Sequence, residues 1–369
     1  MKICHMTSAH DSDDIRILKK QCVSLAKKTD NDVYLVAKGD DFEFKNVHIV
    51  GIGNQQGGRL NRIIKVGKAV YNKALSLDAD VYQFHDPELM LYAKKLKKHG
   101  KIVIFDSHEN YREQIMQKGY IPKPLRKIIK WVYCRVEKHA CKYIDAALFP
   151  SEQNPYSGMV DECVAIYNSP MSDELKITTP IEEKEPSVCC VGTLSEDRGI
   201  KVLIEACYKA GVKLVLGGNF SPESFGEEMK NSQYFSNVDY RGFCNREQVN
   251  DIYNECMIGA DTILNVGQYP FLQNLSTKAY EYMMMKMPYI TSNFAYNKKI
   301  SDEYNCSICV DPSNSDEIAK AVRYLADNPE KAKEIGENGK RLVEETYSWT
   351  NDENRLYELY DRLYSKYKG

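Results

Sequence analysis

The chain has 369 residues, 43% hydrophobic and 28% charged, with 50 Lys+Arg against 52 Asp+Glu and 12 cysteines. That length exceeds one ordinary core and suits two domains of ~150 to 200 residues. A formal net charge of -2 supplies no whole-molecule field to hold a polyanion, which excludes a dedicated nucleic-acid binder. The opening Met1 to Ser8 lacks the apolar core of a signal peptide, and no apolar run approaches the roughly 18 residues that span a bilayer. The expectation is a cytoplasmic chain, or one seated peripherally on the inner face of a membrane.

In chain order, Lys2 to Met6 reads as a buried strand, and Asp14 to Lys28 has Ile15, Leu18, Cys22, Leu25 and Ala26 at helical spacing. Val33 to Ala37 returns as a strand. Strand and helix then alternate through Arg62 to Leu77, Val81 to Phe84, Pro87 to Lys98, Ile102 to Phe105, Pro124 to Lys142 and Ala146 to Pro150, which predicts a parallel sheet covered by helices. From about Ser151 to Ser187 the pattern dissolves into turn-rich sequence, and the polar, proline-bracketed Thr178 to Pro186 marks a domain junction. A second series follows: strand Val188 to Val191, helix Gly199 to Ala210, strands Lys213 to Leu216 and Val238 to Tyr240, helix Asn245 to Cys256 and strand Thr262 to Asn265. Helix Thr277 to Met285, strand Tyr289 to Thr291 and helix Ser315 to Asp327 complete it. Two such halves would put a cleft between their strand carboxyl ends, where open α/β sheets bind ligands.

Most cysteines sit in apolar runs, and Cys306 and Cys309 form the one Cys-x-x-Cys pair, with no second pair to complete a zinc site. They read as core residues of a reducing compartment. The first strand runs into Thr7-Ser8-Ala9-His10 rather than a Gly-x-Gly-x-x-Gly turn, which argues against a nicotinamide enzyme. Gly51, Gly53, Gly57 and Gly58 lack that spacing too and read as a loop. Asp11-Ser12-Asp13 and Asp78-Ala79-Asp80 both look like a metal-holding Asp-x-Asp, but Asp78 and Asp80 precede a strand instead of following one and read as a solvated helix-to-strand turn, so no metal is inferred.

The carboxyl half holds the informative constellation. Gly192-Thr193-Leu194-Ser195-Glu196-Asp197-Arg198-Gly199 places a glycine turn and a cation at a helix start, a phosphate cradle or simply the turn a strand-to-helix connection needs. Gln273-Asn274-Leu275-Ser276-Thr277-Lys278-Ala279-Tyr280-Glu281 puts Lys278 and Glu281 one turn apart on a helix face. There a lysine could compensate a diphosphate and a glutamate could accept from a ribose diol. The plain alternative is a Ser/Thr cap with an ordinary ion pair.

Together with Asp14-Ile15-Arg16-Ile17, Phe84-His85-Asp86-Pro87-Glu88-Leu89, Asp106-Ser107-His108-Glu109, Asn168, Tyr240-Arg241-Gly242-Phe243 and Ser348-Trp349, these segments resemble the GT-B glycosyltransferases, specifically the retaining family 4. The resemblance covers nearly the whole chain. It implies an α/β GT-B fold, two Rossmann-like parallel-sheet domains facing a central cleft. The expected divisions are an acceptor-side domain over 1–165, a linker over 166–186, a nucleotide-sugar domain over 187–347, and a helix over 348–369 returning to the first domain.

The resemblance further implies transfer of a sugar, with retention, from a nucleotide diphosphate sugar, UDP-linked for preference. The acceptor would be a hydroxyl of a glycan or lipid-linked glycan in surface polysaccharide synthesis, and no metal or other cofactor takes part. Arg198 and Lys278 would neutralise the departing diphosphate, and His108 would face the donor sugar. Gly192, Thr193, Gln273, Asn274, Ser276, Thr277 and Glu281 would bind the donor, with Glu281 on the ribose. His85 and Arg16 are candidates for sugar or acceptor contact. Two departures stand out: Thr193 where many members carry arginine, and Gln273 where many carry glutamate. They keep open a nucleotide-sugar 2-epimerase of the same architecture and a binding protein without catalysis.

The near-neutral total also hides a local excess. Between Lys94 and Lys142 there are fourteen Lys/Arg against four Asp/Glu. Within it, Pro124 to Lys142 pairs a stripe of Leu125, Ile128, Val132 and Val136 with cations, while Ile129 and Trp131 lie nearby. Contact with an anionic membrane surface through residues 94–142 is expected, against a solvated face over a core stripe.

Overall fold

The computed structural model describes residues 1–53, 61–117, 121–171 and 175–368. Gly57, Gly58 and Lys118 fall outside them. The chain divides into two compact units, Met1–Asn168 with Trp349–Gly369, and Ser169–Ser348.

In the first unit, β1 (Lys2–Met6), β2 (Asp32–Ala37), β3 (Phe42–Phe44), β4 (Val47–Gly51), β5 (Val81–Phe84), β6 (Ile102–Asp106), β7 (Ala146–Phe149) and β8 (Glu162–Ala165) form one sheet. Its order is β3-β4-β2-β1-β5-β6-β7-β8, and only β3 runs antiparallel to its neighbour. The central strands are buried on both faces, polar His5 and Gln83 included. β3, β4 and β8 were not legible: β8 lies inside the turn-rich stretch, where Glu162 and Cys163 interrupt the apolar pattern.

The first helix departs from its predicted geometry in a way that matters. Asp14 caps it by accepting from Ile17 N at 2.9 Å, but Ile15–Cys22 is wound as a π-helix, with Lys19 N reaching back five residues to Asp14 O. The wider winding leaves Ile15 exposed and turns Arg16, Lys20 and Gln21 into the core. The last helix, Trp349–Lys368, belongs to this unit. Trp349 Nε1 donates to Ser24 Oγ at 3.0 Å, Tyr357 OH to Ser24 O at 2.7 Å, and Tyr360 OH to Gln83 Oε1 at 2.7 Å.

The second unit is a six-stranded parallel sheet of order β11-β10-β9-β12-β13-β14. The strands are β9 (Ser187–Val191), β10 (Lys213–Gly217), β11 (Val238–Gly242), β12 (Ile258–Asp261), β13 (Tyr289–Ser292) and β14 (Ser307–Val310). β12 corrects the expected strand Thr262 to Asn265, which is instead the loop leaving its carboxyl end. Gly259 interrupts its apolar run. Glycine is there because the Tyr282 ring packs against it: a Cβ at 259 would lie 2.6 Å from ring carbons. The same tyrosine donates to Cys189 O or Ala260 O, at 3.3 and 3.2 Å.

All twelve cysteines are free, including Cys306 and Cys309. Asp80 accepts from Lys2 N, and Asp78 meets Lys101, so that pair is a structural turn.

Gly259→Ala should overpack the Tyr282 contact and destabilise by about 1–3 kcal/mol. Thermal unfolding should show a Tm lower by roughly 2–4 °C per kcal/mol; an unchanged Tm would contradict the packing described.

Candidate functional site

An open parallel sheet offers a ligand crevice where the strand order reverses direction. In the second unit the reversal falls between β9 and β12, which pair through Ile258 with Val188 and Gly259 with Cys189. Off β9, the turn begins at Gly192 with φ +123, and a Cβ on neighbouring Gly218 would fall 1.8 Å from Gly192 O. The turn ends at Gly199, φ +73, where a Cβ would meet Thr262 O at 1.9 Å. Gly199 and Gly218 are therefore dictated by backbone approach, and Gly192 by its positive φ. The turn is also stitched by Leu194 N to Asn219 O at 3.0 Å and Leu264 N to Asp197 O at 2.9 Å.

Arg198, immediately before the Gly199 cap of helix Ile200–Ala210, has its guanidinium 5.1 Å from the Tyr269 ring centroid. Lys278 reaches the same strand ends. Its Nζ lies 3.1 Å from Asp261 Oδ1, an ion-pair contact without an aligned hydrogen bond, and 3.6 Å from Cys190 Sγ. Burial pulls the Lys278 ammonium pKa down, but Cys190 and the Asp261 carboxylate outweigh it and the net shift is upward, so the group stays cationic. Ser276 is the N-cap of Thr277–Met284, accepting from Ala279 N at 3.2 Å. This leaves the first N–H groups of the helix, from Thr277 onward, without intrahelical partners. Glu281, on that helix, accepts from Arg246 Nη1 at 2.7 Å and Tyr253 OH at 2.6 Å. Thr193 and Thr277 are exposed, and Gln273 and Asn274 half-buried. Gln273 and Thr193 have no hydrogen-bond partner among the described residues.

Sequence reasoning missed Asp261, Tyr269, Arg246 and Tyr253. The first was hidden by the misplaced strand. Arg246 was within reach, because Asn245 and Gln248 form a capping box that fixes it as the first helical residue.

In the first unit the order reverses between β1 and β5, whose carboxyl ends deliver Thr7, Ser8 and His85, with Asp106 and His108 from β6 alongside. Asp106 is fully buried. It accepts from Arg16 Nη2 at 2.7 Å and Nε at 3.1 Å and from Gln21 Nε2 at 2.6 Å, and lies 3.1 Å from His85 Nδ1 and 3.2 Å from His108 Nε2. Burial raises its pKa, but Arg16 and the histidines hold it well below the carboxylate range. His85 has no exposed surface and packs Nε2 at 3.0 Å from His5 Nδ1, while burial lowers its pKa. Arg16 also donates to Ile166 O at 3.0 Å. Thus the two residues expected at a sugar or acceptor contact, Arg16 and His85, lie inside the core behind His108, whose side chain is 12% exposed and tilts against His10.

His85, Asp106 and His108 have ligand atoms within 4.8 Å of one another, the one such cluster among the described residues. Arg16 occupies both Asp106 oxygens, so the counter-charge there is a guanidinium. Asp86, at the same strand ends, accepts from Thr7 Oγ1 at 2.8 Å and Ser8 N at 2.6 Å.

His10 is raised above its ordinary 6.5, first by its hydrogen bond to Asp14 and then by Asp86, against burial. Burial pushes Asp14 up, yet His10 and the Ile17 N–H bring it down to about 2. The protonated His10 contribution is therefore present below 6.5 and lost as pH rises through the folded value. The Asp14 contribution is present above 3.8 and lost as pH falls through about 2. Asp14→Asn should lower the His10 midpoint in an NMR titration; an unmoved midpoint would reject the pairing.

Residues 171–342 match the family model described as glycosyl transferases group 1. None of the curated proteins matches the chain. Among solved structures the chain is similar to sucrose-phosphate synthase from Thermosynechococcus elongatus, at TM-score 0.77 and 15% identity over 99% of this chain and 100% of that one. It is also similar to Anabaena HepE in complex with UDP-glucose, at TM-score 0.70 and 13% identity over 98% and 100%. A glycosyltransferase from Rickettsia africae gives TM-score 0.70 at 14% identity over 98% of each chain. No helix among the described residues is long and apolar enough to cross a membrane. With two parallel-sheet α/β units and these neighbours, the chain has the GT-B fold, and residues 171–342 are similar to the group 1 glycosyl transferases.

Proposed function

We propose that the chain is a retaining, metal-independent hexosyltransferase of family 4. It moves a sugar from a nucleotide diphosphate sugar, UDP-linked for preference, to a hydroxyl of a glycan or lipid-linked glycan in polysaccharide synthesis. The observation that carries this reading is the pairing of two cations, Arg198 and Lys278, with the amino end of helix Thr277–Met284 at the sheet's switch point. The solved relative bound to UDP-glucose supports the choice of base.

The barrier lies in breaking the anomeric bond while negative charge grows on the leaving diphosphate. Fixed cations and free helix N–H groups answer that charge without reorganising. Asp261 keeps Lys278 protonated and aimed, and Tyr269 lies under the Arg198 guanidinium. Arg246 and Tyr253 hold the Glu281 carboxylate, which then accepts from the ribose diol with its remaining lone pairs. Gln273 and Asn274 meet sugar hydroxyls, with the glycine at 192 and Thr193 alongside the phosphate. The acceptor hydroxyl enters on the face the phosphate leaves, and a phosphate oxygen takes its proton. His108, set by Asp106 and His85, is the first unit's candidate for a sugar contact. Arg16 and His85 act by positioning that ring.

Lys278→Ala and Arg198→Ala should each lower kcat by about 10²–10³-fold, the loss expected on removing one preorganised donor to a developing anion. Glu281→Ala should weaken UDP binding by ~10-fold or more, with Glu281→Gln retaining part of it. Turnover of UDP-sugars by all three alanine variants at the parent rate would sink the site assignment.

A further inference from the structure

Helix Lys123–Cys141 is turned the opposite way from an ordinary surface helix. At 100° per residue, Arg126, Lys130, Tyr133, Glu137 and Ala140 share the side facing the unit. That side is held by polar contacts. Arg126 donates to Ile121 O and Met116 O at 2.6 and 3.0 Å, Lys130 pairs with Glu113 at 2.7 Å, and buried Glu137 takes Arg112 at 2.5 Å and Tyr133 OH at 3.2 Å. The opposite side carries the apolar stripe. Ile128 and Trp131 are each 57% exposed, and Leu125, Ile129 and Val132 are exposed with them. The stripe therefore does not enter the core.

Beside it, exposed Leu91 with Met90, Val136 and Tyr143 lines a groove of about 340 Å³ that also presents Lys94 and Arg135. Arg135 covers the Trp131 ring at 4.5 Å. None of Lys94, Lys123, Lys127, Arg135 or Lys138 has a carboxylate within ion-pair reach among the described residues. Unpaired cations on long apolar stems thus border an unpartnered apolar helix face, the arrangement suited to a surface with phosphates outside and hydrocarbon beneath. A second copy of the chain fits poorly, because a two-fold contact would bring the same cations together.

We infer that this face docks the first unit onto an anionic phospholipid bilayer. Ile128, Trp131 and Val132 enter the acyl boundary, and Lys94, Lys127, Arg135 and Lys138 meet lipid phosphates. The inference stands apart from the sugar-transfer reading, since it is measured without donor or acceptor.

The chain has two tryptophans, and Trp349 is 4% exposed, so a change in tryptophan emission on adding vesicles reports Trp131. The full chain should float with phosphatidylcholine vesicles containing phosphatidylglycerol, with a blue shift, and not with phosphatidylcholine alone. Recovery should fall as salt shortens the Debye length from about 10 Å at 0.1 M to about 3 Å at 1 M. The triple variant Ile128→Ser, Trp131→Ser, Val132→Ser should lose flotation by ~10-fold with an unchanged circular dichroism spectrum. Lys127→Glu with Lys138→Glu should erase the preference for anionic vesicles. Equal recovery on neutral and anionic vesicles, no recovery on either, or a lipid-free dimer that the triple variant dissolves would each overturn the inference.

Discussion

A carboxylate buried in the middle of a sheet is tolerated only when donors surround it, and Asp106 imposes that demand on the first unit. Its partners come from separate pieces of chain: Arg16 and Gln21 from the first helix, His85 from the end of β5 and His108 from two residues past β6. The π winding of Ile15–Cys22 is intelligible in this light. An α-helix with Ile15 turned inward would present a different set of side chains, and the buried charge would lose its guanidinium. The network continues outward, since Gln21 accepts from Gln83, which in turn accepts from Tyr360 of the final helix.

The second unit repeats the device in milder form. Asp261 ends β12 as Asp106 ends β6, and each buried carboxylate fixes a basic side chain at the carboxyl edge of a parallel sheet. The difference lies in what is held. Arg16 is enclosed and rigidifies the core, whereas Lys278 lies at the carboxyl ends of β9 and β12 with its side chain 14% exposed. Around it the structural and functional readings of the motif coexist. Gly199 is demanded by backbone approach and Gly192 by its positive φ, and the Ser276 hydroxyl is spent on capping. Neither use removes what a phosphate needs, which is free N–H groups and fixed cations.

Much of this was legible. Alternating apolar runs announced both sheets, and the motif segments singled out Arg198, Lys278, Glu281 and His108 as candidates. The losses have physical causes. Gly259 broke the pattern of β12 because its missing side chain is filled by Tyr282 from another element, which no local window contains. Arg16 and His85 were chemically conspicuous, but conspicuous side chains also satisfy buried charges, and only three-dimensional neighbours tell the two uses apart. Arg246 and Tyr253 acquire meaning through Glu281, roughly thirty residues away, a long-range pairing that propensity cannot express.

The continuity of the two units has a bearing on synthesis. The second, Ser169–Ser348, is one uninterrupted stretch, whereas the first needs Trp349–Gly369 to cover Ser24 and Gln83. On the ribosome the amino-terminal half emerges first yet is completed last, after the whole second unit has left the exit tunnel. Until then a polar chain ending in Gln83 lacks Tyr360, and the apolar patch awaiting Leu356 and Leu359 stays open. Truncation by even one helix would thus strike the half of the molecule farthest from it in sequence.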